Sequence, residues 1–302
     1  MLERITHRGD YHPDLRGIAS VLPKGVTSAR TVPFLRRALS IARRGGGVSS
    51  TATIDNGVGL RVFEPQTSID APRSRGAFVW IHGGGTVMGQ AAQDDEWCRY
   101  LADEEGIVVV SVDYRLAPEH PFPEPVDDCV AALEWIIARP DVDPRRIAVG
   151  GASAGGLLAA AVAFRARDAG ISLALQMLVY PMLDDRTTRD DVRYRLWDVP
   201  SNDFAWRSFL GDADTELAVP ARRTDLRGLA PAWIGVGSLD LFLDEDLEYA
   251  RRLRDAGIAC ETHIVDGAFH AFDAIARRAG VSREFAEVRR KALAAALAGP
   301  HD

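Results

Sequence analysis

Short apolar runs rich in β-branched residues recur along this chain, at 77–81, 107–112, 147–150, 173–180, 232–236 and 261–265. Runs of this kind are typical of parallel strands covered by helices on both faces. Between them lie stretches with helical periodicity, at about 93–105, 126–138, 154–168, 244–256 and 283–298. Such alternation restricts the chain to an α/β fold, a doubly wound sheet with right-handed crossovers and helices on both faces. Two further strands, 49–55 and 59–64, read as a pair joined by a turn at Asn56-Gly57.

Two stretches break the rhythm. Residues 1–45 read as N-terminal helices, one opened by Pro13 and a second spanning 33–44. In the second, Phe34, Leu35, Ala38, Leu39 and Ala42 share a face, which leaves Arg36, Arg37, Arg43 and Arg44 as its solvated side. Gly45-Gly46-Gly47 follows as a hinge. The stretch 184–230 is polar and Arg/Asp-rich with Trp197, Phe204, Trp206 and Phe209 embedded, and reads as an insertion over the carboxyl edge of the sheet, where ligands bind in this architecture. The expected organisation is therefore a two-part cap, 1–45 and 184–230, on a core built from 46–183 and 231–302.

Composition narrows the class of function. A chain of 302 residues buries enough surface to fold without a disulfide or metal staple. Its net charge of −7 argues against nucleic acid as a partner. Cys98, Cys129 and Cys260 cannot all pair with one another and form no C-x-x-C, so reduced thiols are expected. The first ten residues hold no apolar segment of the secretory kind, and the longest strongly apolar stretch, 155–164, is too short to span a bilayer. A cytoplasmic protein with no stable membrane association is the expectation.

Four signals carry chemistry. The first is Gly151-Ala152-Ser153-Ala154-Gly155-Gly156, directly after an apolar strand and opening an apolar helix. This is the context of a nucleophile elbow, where a sharp turn exposes a serine hydroxyl and crowding demands small neighbours. A small-residue turn that merely packs closely would read the same way. The second is His82-Gly83-Gly84-Gly85 at the end of strand 77–81; glycines there let backbone N–H groups approach a substrate and hold a developing oxyanion. His82 precedes the serine and reads as an orienter of this loop. The third is Asp240, at the carboxyl end of strand 232–236, where an acid can orient an imidazole. Asp244, Glu245 and Asp246 compete but begin the next helix, where acids are common for capping reasons. The fourth is His270, after strand 261–265, giving the chain order serine, acid, histidine. His263 is its rival, placed inside the strand as a packed histidine would be. No metal-ligand spacing and no nucleotide-binding glycine motif occurs, so no metal and no cofactor is expected.

Taken with Asp113-Tyr114-Arg115-Leu116-Ala117-Pro118-Glu119-His120-Pro121-Phe122-Pro123 and Asp240-Leu241-Phe242-Leu243-Asp244-Glu245, these motifs resemble the hormone-sensitive-lipase-like esterases (bacterial lipolytic family IV) of the α/β-hydrolase superfamily. The resemblance covers about residues 12–298. It implies an α/β-hydrolase fold with an eight-stranded, mostly parallel sheet whose strand 2 is antiparallel, a helical cap, and carboxylesterase activity without a cofactor. It implies Ser153 as nucleophile, Asp240 as acid, His270 as base, and Gly84, Gly85 and Ala154 as oxyanion donors. It also suggests a homodimer formed through a sheet edge. Three positions depart from the family pattern: Ala152 stands where Asp is frequent, Ala271 where Gly commonly follows the histidine, and Thr86 where an aromatic residue often follows the glycines. Thr86 would border the substrate pocket, and Trp206 is a second pocket candidate. The expected partner is a small-molecule ester with a short to medium acyl chain. The same triad would serve an amidase or deacetylase; a non-catalytic binding protein on this fold would typically lack a triad member; and the absence of an evident interfacial apolar helix disfavours a lipase of long-chain aggregates.

Overall fold

A computed structural model describes residues 8–42, 47–55, 57–66 and 74–298. Its strands are β1 (Ser50–Thr53), β2 (Gly59–Phe63), β3 (Arg75–Ile81), β4 (Val108–Asp113), β5 (Val142–Ala152), β6 (Leu175–Val179), β7 (Ala232–Leu239) and β8 (Cys260–Phe269). Its α-helices are α1 (Arg16–Ala19), α2 (Val32–Ala42), α3 (Asp95–Glu105), α4 (Glu124–Ile137), α5 (Ala154–Asp168), α6 (Val199–Leu210), α7 (Thr215–Ala218), α8 (Leu243–Asp255), α9 (Phe272–Ile275) and α10 (Gly280–Leu297).

The strands form one eight-stranded sheet in the order β1-β2-β4-β3-β5-β6-β7-β8. Only β2 runs against its neighbours, pairing antiparallel with β1 and β4; every other pair is parallel. After β3 the chain steps to one side for β4 and returns to the other side for β5. Such a reversal opens a crevice at the carboxyl ends of the two central strands. In register, Ile81 of β3 lies opposite Gly151 of β5, which sets the loop after β3 beside the turn after β5.

Alternation along each strand feeds two cores. Ala77, Val79 and Ile81 pack into one, and Phe78 and Trp80 into the other. Successive side chains of a strand point to opposite faces, so a strand covered on both sides must be apolar throughout. Helix α5 is buried almost all round, Ala154 through Phe164 showing only one partly exposed residue, Ala161. Its unbroken apolar run, 155–164, is that of an interior helix.

The N-terminal segment and residues 184–230 bind each other. Leu196 N–H donates to the Pro23 carbonyl at 2.9 Å, and Arg195, itself buried, sends Nε to the Ala19 carbonyl at 2.7 Å. Tyr11 donates its hydroxyl to the Arg193 carbonyl at 2.7 Å and lies under the Arg195 guanidinium. His12 N–H in turn bonds the Gly267 carbonyl at 2.9 Å, tying this assembly to the end of β8.

Helix α2 differs from its expected packing. Phe34 is 76% exposed, whereas Arg36 turns inward. Arg36 donates to the carbonyls of Val87 (2.6 Å) and Ala117 (2.7 Å) and forks onto both oxygens of Glu119. Those two carbonyls belong to loops with no strand or helix to satisfy them, and a planar guanidinium reaches both while pairing an acid. Arg43, Arg44, Gly45, Gly46 and Asn56 lie outside the described residues; Gly57 closes its turn by donating N–H to the Ile54 carbonyl at 2.8 Å. Cys98 and Cys129 are buried and Cys260 partly so, none of them in a disulfide. Among the described residues no helix is long and apolar enough to cross a membrane.

Arg36→Met should loosen α2, costing about 1–3 kcal/mol for the lost charged hydrogen bonds. The check is urea unfolding together with limited proteolysis, in which cleavage should concentrate on the N-terminal segment.

Candidate active site

Strand β5 ends in a sharp turn at Ser153, whose φ of 58° and ψ of −120° are unusual for a residue with a side chain. The turn survives because its neighbours are small. A Cβ on Gly151 would strike the Gly155 carbonyl, and one on Gly155 would strike the Ile81 carbonyl of β3. Ser153 N–H is anchored to the Val179 carbonyl of β6 at 2.8 Å, and its own carbonyl accepts from Gly156, Leu157 and Met182. The hydroxyl is thereby held above the sheet at the first turn of α5.

His270 follows β8 directly. Its Nε2 lies 2.9 Å from Ser153 Oγ, and its Nδ1 lies 2.9 and 3.1 Å from the two oxygens of Asp240. A carboxylate can only accept, so Nδ1 carries the proton and Nε2 is left to accept from the serine hydroxyl. Asp240 closes the turn after β7, where Phe242 N–H donates to its Oδ1 at 3.1 Å. All three side chains are buried. The imidazole is held between rings: Tyr180 and Phe242 meet it edge-on at 5.0 and 5.1 Å, and Trp197 is tilted against it at 6.0 Å. Ala271 takes a left-handed conformation, φ 56°, where a glycine would be unstrained.

The glycine loop after β3 faces this group. Gly84 and Gly85 both have positive φ, 132° and 61°. A Cβ on Gly84 would collide with the Met88 carbonyl, and one on Gly85 with the Trp197 ring. Among the described residues the N–H groups of Gly84, Gly85 and Ala154 donate to no protein acceptor. His82 is fully buried, stacks on Tyr114 at 4.2 Å and places Nδ1 2.9 Å from the Gly83 carbonyl. Burial pushes its pKa down, so the ring is a neutral strut of the loop.

A cavity of about 540 Å³ opens over Ser153 and His270. Val26 and Leu39 from the N-terminal segment, Leu196 and Trp197 from the inserted segment, and Gly83 and Gly84 line it. The two pocket candidates do not. Thr86 is wholly buried with φ 61°, and its hydroxyl bonds the Gly85 carbonyl at 2.6 Å. Trp206 packs on Phe209 inside the core, because it lies on the inner face of α6. The tryptophan that residues 184–230 bring to the cavity is Trp197, which precedes the Asp198 cap of α6 and so stands at the entry of that helix; Trp80 and Trp97 line it as well. Tyr180, Asp273 and Arg289 also line the cavity. Nothing in their local sequence singles out Asp273 or Arg289, although Tyr180 stands at the carboxyl end of β6, where a site residue belongs. His263 packs between Trp233 and Phe285.

The competing acids have other work. Asp244 is exposed and pairs with Arg189 at 2.6 Å. Glu245 is buried; its Oε1 accepts N–H bonds from Leu183 (2.6 Å) and Asp184 (3.1 Å), and its Oε2 takes the Thr187 hydroxyl. Desolvation nevertheless pushes its carboxyl up to about 8. Asp246 is fully buried with neither oxygen bonded among the described residues, and burial followed by the nearby Glu245 and Asp240 charges pushes its pKa well up. No group of three or more His, Cys, Asp or Glu side chains among the described residues could hold a metal ion.

Known proteins share this arrangement of strands and loops. The sequence profile of a family with the α/β-hydrolase fold matches residues 78–274. The chain belongs to this family, in its hormone-sensitive-lipase-like branch. Carboxylesterase NlhH of Mycobacterium tuberculosis is 35% identical over 295 residues, covering 86% of this chain and 88% of that protein. Esterase LipI of the same organism is 35% identical over 227 residues, covering 71% of each. A solved structure described as a bacterial heroin esterase superposes with a TM-score of 0.86 at 36% identity, covering 96% of this chain and 98% of that one.

Folded Glu245 keeps its proton up to about pH 8, whereas an unfolded glutamate loses it near 4.5, so stability should fall as pH rises between these values. Glu245→Gln retains an Oε1 acceptor for both backbone bonds and should flatten this decline. Thermal midpoints of the two proteins across that range would check it; parallel curves would contradict it.

Proposed function

We propose that this family member is a serine carboxylester hydrolase acting on dissolved esters of short to medium acyl chain through an acyl-enzyme. The reading is carried by one observation, the unbroken line from Asp240 through His270 to Ser153 Oγ. Carboxylesterase and esterase relatives support the reaction class.

In the proposed cycle Ser153 Oγ attacks the ester carbonyl while His270 Nε2 takes its proton. Ionised Asp240 keeps the ring in the required tautomer and stabilises the imidazolium. The carbonyl oxygen becomes an oxyanion that accepts from Gly84, Gly85 and Ala154, whose N–H groups have no protein acceptor among the described residues. Loss of one such donor in a comparable hydrolase costs roughly 3–4 kcal/mol, so a fixed three-donor hole is a large part of the rate. His270 then returns the proton to the leaving alcohol, and water repeats the sequence on the acyl-enzyme. The protein supplies acid–base, nucleophilic and electrostatic functions from its own side chains and backbone.

Cavity size and the cap that roofs it support small dissolved esters. About 540 Å³ falls within the range of roughly 300–1,000 Å³ usual for small-molecule sites.

Ser153→Ala should abolish labelling by a fluorophosphonate and reduce ester turnover by at least about a thousandfold. A p-nitrophenyl ester series from acetate to palmitate, run on both proteins, should show turnover falling off at long chains; retained labelling on another serine would overturn the assignment. A matched ester and anilide pair separates esterase from amidase action.

The base must be neutral to accept a proton, so kcat/KM should rise with pH across the range in which an imidazole deprotonates. Asp240→Asn should lower kcat by about 10⁴-fold through the wrong tautomer. A flat profile between about pH 5 and about pH 9, with chemistry rate-limiting, would argue against His270 as base.

A further inference from the structure

Each N–H of the proposed oxyanion hole belongs to a planar trans peptide, so its direction is set by whatever holds the carbonyl on the opposite edge of that peptide. For two of the three donors the clamp is backbone. The Ser153 carbonyl, which shares a peptide with Ala154 N–H, accepts from the N–H groups of Gly156 (2.8 Å), Leu157 (3.1 Å) and Met182 (3.1 Å). The Gly84 carbonyl, which shares one with Gly85 N–H, accepts from those of Val87 (3.1 Å) and Met88 (3.0 Å).

The third peptide is held by side chains. The Gly83 carbonyl, on the same peptide as Gly84 N–H, accepts from His82 Nδ1 at 2.9 Å and from Gln93 Nε2 at 3.2 Å. His82 adjoins this peptide in the chain. Gln93 reaches it from the short 3-10 turn Ala91–Asp94 that precedes α3. That turn is fastened along its length. Ala91 N–H donates to Asp113 at 3.0 Å, and its carbonyl takes the Ser111 hydroxyl at 3.2 Å. The Gln93 carbonyl takes the Arg277 guanidinium at 3.1 Å, and Asp94 takes Trp80 Nε1 at 2.9 Å. The Gln93 backbone is therefore fixed, and its amide meets Gly83 from a set position on the cavity wall.

A clamp has work to do at this peptide. Glycine adopts either sign of φ readily, so the backbone alone does not choose which edge of the Gly83–Gly84 peptide faces the serine. The reversed edge would present a carbonyl oxygen to the developing oxyanion. A carbonyl that accepts also makes the N–H of its own peptide a better donor, because linked hydrogen bonds polarise one another.

We infer that Gln93 is a positioning residue of the oxyanion hole: by donating to the Gly83 carbonyl it fixes the Gly83–Gly84 peptide with the Gly84 N–H facing the oxygen that becomes charged. The inference rests on the esterase reading above and deepens it, since none of the sequence motifs points to Gln93.

The test uses Gln93→Met, which fills similar space without a donor, and Gln93→Ala, which leaves the position open. With phenyl acetate, kcat per fluorophosphonate-titrated site should fall about three- to tenfold, the worth of one hydrogen bond. Acylation and deacylation both pass through the oxyanion, so KM should change by less than about twofold. The decisive readout is inhibition by phenethyl trifluoromethyl ketone. Ser153 Oγ adds to its carbonyl carbon, the carbonyl electron pair becomes the oxyanion, and the serine proton passes to His270. The alcohol obtained by reducing that ketone has the same skeleton and forms no oxyanion. Both variants should weaken ketone binding by about the factor lost in kcat and leave alcohol binding within about twofold, a split that a change of pocket shape would not produce. Unchanged kcat and ketone affinity, or equal losses for ketone and alcohol, would overturn the role of Gln93 while Ser153 labelling left the esterase reading intact. A wild-type protein that neither hydrolyses phenyl acetate nor takes the fluorophosphonate at Ser153 would remove that reading, and the role of Gln93 with it.

Discussion

The close approach of β3 to the turn after β5 is the constraint on which the rest depends. Gly151 and Gly155 admit the Ile81 carbonyl where any side chain would collide, and the serine between them is forced to positive φ. That single crowded turn exposes Ser153 Oγ, begins α5 and leaves the Ala154 N–H pointing outward. The same β3–β5 register delivers the glycine loop to the serine. Backbone strain at a functional turn persists only where the surroundings over-determine it. Here the bond from Ser153 N–H to Val179 and the three bonds to the Ser153 carbonyl do so.

The imidazole is fixed by a different means. Its two nitrogens are taken by Asp240 and Ser153, and its faces and edges by Tyr180, Phe242 and Trp197. Those rings come from the end of β6, the turn after β7 and the inserted segment. The position of His270 is therefore set by elements far apart in the chain. Tyr180 links this ring cage to the cavity wall, since its hydroxyl holds Asp273, which pairs with Arg289.

Arginines fasten the N-terminal segment and residues 184–230 in place. Arg36 and Arg195 each reach several backbone carbonyls that no strand or helix satisfies. Five donors spread over a planar fork suit irregular segments, where carbonyls point in several directions, whereas a lysine's three donors all leave from one atom. The Arg/Asp-rich composition of 184–230 is in large part this carbonyl-satisfying and ion-pairing work; Arg222 on Asp185 and Arg193 on Asp191 are examples.

Strands, interior helix and elbow were legible because each is dictated locally. A two-sided strand must be apolar throughout, an interior helix must be apolar all round, and a crowded turn must have small residues. Ser153, Asp240 and His270 could be named because strand ends and chain order restrict where such groups can stand, and the structure brings the three into one hydrogen-bonded line. The inward turn of Arg36, the exposure of Phe34 and the exchange of Trp206 for Trp197 at the cavity could not be read this way. Helical periodicity says which residues share a face, but the face that is buried depends on which distant loops offer carbonyls or space. The sequence by itself determined the α/β core and the crowded serine turn at its carboxyl edge, since both follow from short-range sterics. Only the tertiary structure decided which side chains shape the cavity, because non-local packing sets their surroundings.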